Sequence, residues 1–245
     1  MNKTKVSCII PAYDEEKTVA GVVKSALSCP EITEVIVVND GSADETLKKL
    51  EKLKSKITVI DLKQNRGKGY AVAQGVKAAQ YPYLLFLDAD LINLKKHHLF
   101  SLINPVVSNL SDMTIGINSQ YNASNYFLWR FSGQRCLKKR SVIPALKKIE
   151  ATNYGLEVIL NDHFKNKRII IVPLLLNKKF HFIKTEKEED WAANYLKEVW
   201  EVFQKTVSLK SSAYRQKIRQ EFLQNISSYL RISYEKAKKY LNDKA

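Results

Sequence analysis

The sequence predicts an α/β domain built on a mainly parallel sheet with helices on both faces. Three observations predict it. The strand-like stretches of the first half are apolar throughout, as strands covered on both faces are. They alternate with stretches of helical spacing. The polar clusters Tyr13–Asp14–Glu15–Glu16, Asn39–Asp40–Gly41–Ser42 and Asp88–Ala89–Asp90 each fall where such a strand ends, the rim at which open α/β sheets bind ligands.

The elements follow in order. KVSCIIPAY (5–13) is an apolar strand, and EEKTVAGVVKSAL (15–27) carries Val19, Val22, Val23 and Ala26 at helical spacing. EVIVVND (34–40) is a second strand that enters a helix through Asp44, and ITVIDLK (57–63) is a third, followed by a helix over 67–80. YLLFLDAD (83–90) is a fourth strand and LKKHHLFSLINPVV (94–107) another helix. The second half is less regular. MTIGINS (113–119) reads as a strand, 120–135 as an aromatic-rich loop, LEVILNDHF (156–164) as a helix, and 168–176 and KKFHFIK (178–184) as two further strands. From Trp191 onward, Leu196, Val199, Trp200, Phe203 and Val207 repeat at helical spacing, as do Ile218, Phe222, Ile226 and Tyr229. No Pro/Gly/Ser linker intervenes, so the expected organisation is one domain over 1–185 with a helical extension over 186–245 packed on it.

Composition narrows the class. Hydrophobic residues at 45% and charged residues at 27% of 245 fit a globular domain and exclude a disordered or fibrous chain. The longest nearly unbroken apolar run, Ile169 to Leu176, is too short to span a bilayer, and the N-terminus lacks a signal-peptide pattern, so a cytoplasmic protein is expected. Cys8, Cys29 and Cys136 are odd in number and far apart, which reads as buried free thiols. The net charge of +15 is uneven: residues 135–148 hold six bases and no acid, and from Phe203 to the end there are ten bases and three acids. This balance suits phosphate-bearing ligands, an anionic membrane surface or nucleic acid, and equally a solvated lysine-rich surface.

Asp88 and Asp90 carry the chemistry. In an extended strand residues i and i+2 project to one side, and two neighbouring carboxylates are relieved by a hard divalent cation such as Mg²⁺ or Mn²⁺. On its own the pair also fits a helix cap beside a solvated strand-end acid. Its context is more specific. Arg66–Gly67–Lys68–Gly69 lies between a strand and a helix start, offering backbone N–H groups, a positive helix end and an ammonium to an anion.

Together IIPAYDEE (9–16), VVNDGSADET (37–46), NRGKGYA (65–71) and FLDADL (86–91) closely resemble family 2 glycosyltransferases, nucleotide-sugar enzymes of the GT-A fold. The resemblance is strong to about residue 95, looser to about 185, and silent beyond. It implies that Pro11, Ala12, Tyr13 and Glu15 line a nucleotide-sugar pocket. Asp40 would bond the base with Gly41 beside it, and Lys68 would sit near base or diphosphate. Asp88 and Ala89 would meet the ribose or the metal, and Asp90 would be the principal metal ligand.

The second half must supply the acceptor or sugar side. Gly133, Gln134 and Arg135 fall in the stretch 131–140 that resembles a loop beside the sugar, with Arg135 as a phosphate or carboxylate binder or one more member of a basic face. Gly155 starts a helix and Glu157 occupies its first turn, either as the acid that orients the sugar or takes the acceptor proton, or as a complement to the helix dipole. His181 either completes the metal shell with Asp88 and Asp90, as the resemblance implies, or is structural. His97, His98 and His163 lie on helices as surface or core residues.

The leading expectation is thus a metal-dependent glycosyltransferase using a UDP- or GDP-sugar and Mg²⁺ or Mn²⁺. Its acceptor would be a polyprenyl phosphate, a phosphoglycerate-like acid or a glycan. The basic C-terminal helices pack on the domain or on a second subunit, or dock on anionic lipid at the inner face of the membrane. Two alternatives stand beside it. A sugar nucleotidyltransferase wants a glycine-rich basic loop after the first strand, where this chain is acidic. A basic membrane- or nucleic-acid-binding module on an inactive fold leaves both aspartates unexplained, and no nucleic-acid motif is present.

Overall fold

The computed structural model describes residues 5–118, 129–130, 132–152 and 155–174. His181, the strand expected over 178–184, the domain boundary at 185/186, and the C-terminal helices with the lipid or subunit contacts expected of them lie outside the described residues.

β1 (Val6–Ala12), α1 (Val19–Leu27), β2 (Ile32–Asn39), α2 (Thr46–Glu51), β3 (Thr58–Asp61), α3 (Lys68–Ala78), β4 (Tyr83–Phe86) and α4 (Lys96–Val107) alternate as the sequence predicts. β5 (Met113–Asn118), β6 (Arg135–Lys138), the short helices α5 (Lys139–Val142) and α6 (Leu146–Glu150), then α7 (Leu156–His163) and β7 (Ile169–Leu174) complete the described chain. The sheet runs in the order β3-β2-β1-β4-β6-β5-β7. β6 alone is antiparallel to its neighbours β4 and β5.

The two faces of β1 show how the layers are filled. Val6, Cys8, Ile10 and Ala12 join one core with Val22 and Val23 of α1 and Leu99 and Leu102 of α4. Ile9 points the other way and meets α3, where a Cβ on Gly75 would lie 2.4 Å from its Cγ2. This two-sided burial is why β1 is apolar without alternation. The three cysteines are buried and free. Among the described residues no helix is long and apolar enough to cross a membrane.

Order reverses between β1 and β4, since β2 and β3 build outward on one side and β4 begins the other. Such a switch point opens a crevice at the carboxyl ends of the strands. The residues that follow β1, β2 and β4 gather at that rim.

Three expectations need correction. β4 ends at Phe86 and a turn occupies Ala89–Asp90, so the two-residue period of a strand does not aim Asp88 and Asp90 together. Arg135 opens β6 instead of lying in a loop. The basic run after it folds into α5 and α6, burying Val142, Ala145 and Ile149 and leaving Arg140, Lys147 and Lys148 exposed.

Candidate functional site

The loops after β1 and β2 lock together. Asp14, in the left-handed region at φ 54°, donates its N–H to Ser42 Oγ (3.0 Å) and accepts from the Ala43 N–H at Oδ1 (2.8 Å). The Glu15 N–H donates to Thr46 Oγ1 (2.7 Å) and the Glu16 N–H to Asp44 Oδ2 (3.1 Å). Glu15 itself is buried and accepts from Thr18 Oγ1 at 3.0 Å. Ala12 is buried at the end of β1, Pro11 beside it is half-buried, and Tyr13 is exposed.

Asp40, only 3% exposed, reaches the turn that opens α3. Its Oδ1 accepts from the Arg66 N–H (2.9 Å) and its Oδ2 from the Gly67 N–H (2.8 Å). Gly67 has φ +87°, a conformation that a side chain strongly disfavours. Gly41 lies against the Gln64–Asn65 backbone. A buried acid therefore holds the Gly–Lys–Gly turn, and with it the start of α3, from which Lys68 projects.

Lys68 meets two acids from distant elements. Its Nζ lies 2.6 Å from Asp88 Oδ1, just beyond β4, and 2.7 Å from Glu157 Oε1 in the first turn of α7. Gly155, at φ +121°, turns the chain into α7 and so sets where Glu157 stands. Burial works against a charged Lys68, but Asp88 and then Glu157 outweigh it and raise its pKa above the ordinary lysine value. Asp88 Oδ2 also accepts from the Gln134 amide. Gly133 is packed so close that a Cβ there would stand 2.3 Å from Asp88 Oδ1 and 2.6 Å from Lys68 Nζ. Ala89 is buried and Asp90 is half-buried, in the turn that follows Asp88.

Arg135 is fully buried. Its Nε donates to the Ser132 carbonyl (2.8 Å) and its Nη1 to Asn161 Oδ1 (2.7 Å), one helical turn beyond Glu157. Desolvation pushes its pKa down to about 10 despite the nearby Glu157 and Asp88, which leaves it protonated at neutral pH. Its place is beneath the site, tying β6 to α7.

The structure thus brings Lys68, Asp88, Gly133, Gln134 and Glu157 into one bonded or touching set, with Asp40 joined to it only through the Arg66–Gly67 turn. Sequence reasoning missed Asn161, Ser132, Thr18 and Thr46. Asn161 stands four residues after Glu157 on the same helix face, a spacing that could have found it.

The donor set fits a hard divalent cation. Asp88 and Asp90 supply carboxylate oxygens just beyond β4, and Mg²⁺ or Mn²⁺ needs only one or two carboxylates when water and phosphate complete its shell. Among the described residues no cluster of three acids, histidines or cysteines converges. Tyr83, Lys138 and Arg140 line a separate depression at the opposite rim, where β4 begins and β6 ends, away from this set.

A family model described as Glycosyl transferase family 2 matches residues 7–154. Poly-beta-1,6-N-acetyl-D-glucosamine synthase of Staphylococcus aureus is 37% identical over 90 residues, covering 36% of this chain and 22% of the relative. The Staphylococcus epidermidis protein of the same name is 38% identical over 91 residues, with the same coverage. The chain therefore spans about a fifth of the length of these curated relatives. Among solved structures, glucosyl-3-phosphoglycerate synthase from Mycobacterium tuberculosis in complex with phosphoglyceric acid superposes with a TM-score of 0.63 at 19% identity, covering 86% of this chain and 82% of that one. The same protein with Mn²⁺, uridine diphosphate and phosphoglyceric acid gives 0.55 at 22%, covering 70% and 69%. At these identities the structures speak for the fold.

Proposed function

The chain belongs to glycosyl transferase family 2, and on that premise we propose that it moves a sugar from a nucleoside-diphosphate sugar, UDP- or GDP-linked, to a phosphate-bearing acceptor with the help of Mg²⁺ or Mn²⁺. Its sheet and flanking helices are those of GT-A proteins. The observation that carries the reading is the Lys68 ammonium lodged between Asp88 and Glu157 at the switch-point rim. An ammonium and a carboxylate beside a helix N-terminus are suited to a diphosphate and its metal.

Roles follow from position. Pro11, Tyr13 and Glu15 line the nucleotide side, supported by their place at the end of β1. Asp40 sets the Gly67–Lys68 turn and faces the base. Asp88 and Asp90, which follow β4, are the acids assigned to the cation. The cation would screen the negative charge that develops on the departing diphosphate. Lys68 adds a fixed positive charge to the same end of the leaving group. Glu157 anchors Lys68 and is the acid assigned to the sugar or to the acceptor's proton. Gly133 and Gln134 bound the sugar side against Asp88, with Arg135 supporting them from below.

The charge of +15 supports a phosphate-bearing acceptor, as does the phosphoglyceric acid in the neighbouring structures.

The test is a panel of UDP- and GDP-sugars assayed for donor hydrolysis with Mg²⁺ or Mn²⁺, beside a thermal melt with UDP or GDP. Metal-dependent stabilisation is expected, about 2.7 kcal/mol at a nucleotide concentration a hundredfold above Kd. A response to polyanions alone, abolished by salt, would replace the enzyme with a basic binding module.

A further inference from the structure

Lys68 opens α3, Asp88 follows β4 and Glu157 starts α7, so three separate elements converge on one ammonium. The ammonium is close to both acids, and the side chains of Asp88 and Glu157 are only 26% and 9% exposed. Space around the pair is full on the Gly133 side, where even a methyl carbon would overlap Asp88 and Lys68. The other Asp88 oxygen accepts from Gln134. A bare divalent cation approaching Asp88 therefore meets a positive charge already seated on the oxygen it needs. Lys68 also keeps a route out: its side chain is 30% exposed and its four-carbon stem is flexible.

We propose that Lys68 is the built-in counter-ion of this site, holding Asp88 against a bare divalent cation until the donor's diphosphate draws the ammonium off, so that cation and nucleotide load together. The inference rests on the donor reading above. Glu157 is the pivot. It keeps its bond to Lys68 while Asp88 exchanges the ammonium for the cation, so the negative charge on Asp88 is balanced at each stage. The site thereby favours the metal–nucleoside diphosphate complex over either component alone.

The experiment measures Mn²⁺ affinity from the electron paramagnetic resonance signal of free Mn²⁺, with and without UDP. It compares the wild type, Lys68→Met and Lys68→Arg, with thermal melts as the check on folding. Without UDP, Lys68→Met is expected to bind Mn²⁺ on the order of 10-fold tighter than the wild type, and Lys68→Arg, which keeps the charge, to stay close to it. UDP should strengthen Mn²⁺ binding strongly in the wild type and much less in Lys68→Met. If Lys68→Met is unfolded, Lys68→Gln takes its place with the same expectation. The counter-ion role is overturned if the uncharged variant binds bare Mn²⁺ no tighter than the wild type, or if Lys68→Arg matches Lys68→Met. Absence of any effect of UDP on the wild type, with GDP equally without effect, overturns displacement by the diphosphate and the donor reading with it. The bare-metal ranking decides the counter-ion role by itself.

Discussion

Gly133 faces the Asp88 carboxylate so closely that a Cβ built on it would stand 2.3 Å from Oδ1 and 2.6 Å from Oδ2. The other intruded atom, Lys68 Nζ, is the far end of a flexible side chain, and Gly133 is not among the glycines with positive φ. Gly133→Ala can therefore be relieved by movement of two side-chain tips, at a stability cost of about 1 kcal/mol or less. The site bears the larger loss, because a displacement of about 1 Å can cost roughly 100-fold in rate. Donor turnover should fall by at least about 10-fold while the urea midpoint barely moves. A drop in stability matching the drop in turnover would show that Gly133 serves packing instead.

Asp40 separates a structural from a ligand-binding role. Its two oxygens accept the Arg66 and Gly67 N–H groups in a buried position. In Asp40→Asn one of those donors faces an amide N–H₂, and leaving a buried donor unsatisfied costs about 1–3 kcal/mol. Chemical denaturation should register that loss, and UDP affinity should weaken as the start of α3 loosens. An unchanged denaturation midpoint would leave the carboxylate to the base alone.

Much of this was legible because it is local. β1, β2 and β4 are apolar runs, and α1 and α4 carry periodic apolar faces, so pattern alone places them. β6 escaped because Arg135 looks like a surface base. Its burial is made tolerable by partners such as Ser132 and Asn161, and no local pattern announces the pair with Asn161. α5 and α6 were masked by their run of bases, since few buried residues hold them to the domain. The Lys68–Glu157 contact joins residues 89 apart, and only the folded sheet brings them together. The acid pair after β4 was found by type but not by geometry, because the strand that was to aim it stops at Phe86.

His98 gives the fold a pH dependence. It is 5% exposed at the third position of α4, and its Nδ1 accepts from the Lys95 N–H at 3.2 Å. Desolvation, then His97 and Lys95, lowers its pKa from 6.5. The unfolded chain thus binds the proton more readily than the native one. Stability from the neutral ring is fully present above the unfolded value and is lost as pH falls through the lowered native pKa. Melting temperature should decline on acidification from pH ~7.5 to ~5.5, a window set by the ordinary histidine value. His98→Asn, which keeps a side-chain acceptor, should flatten that part of the curve at a capping cost of about 1 kcal/mol. An equally steep decline in the variant would move the effect to another group.

Asp88 and Asp90 should part company when each is neutralised. Asp88→Asn removes the charge partner of Lys68 in a half-buried pair and should cost roughly 1–2 kcal/mol of stability, between the exposed and buried limits for ion pairs. Asp90 sits in the turn beyond β4. Its amide variant keeps an acceptor oxygen, so its stability should stay within about 0.5 kcal/mol of the wild type. Turnover should nonetheless fall in Asp90→Asn by about 100-fold or more, the scale at which a lost electrostatic contact to the reacting group is felt. Steady-state donor turnover set beside differential scanning calorimetry of both variants makes the comparison. The assignment of Asp90 to the cation fails if its variant keeps turnover, or loses stability in proportion to activity.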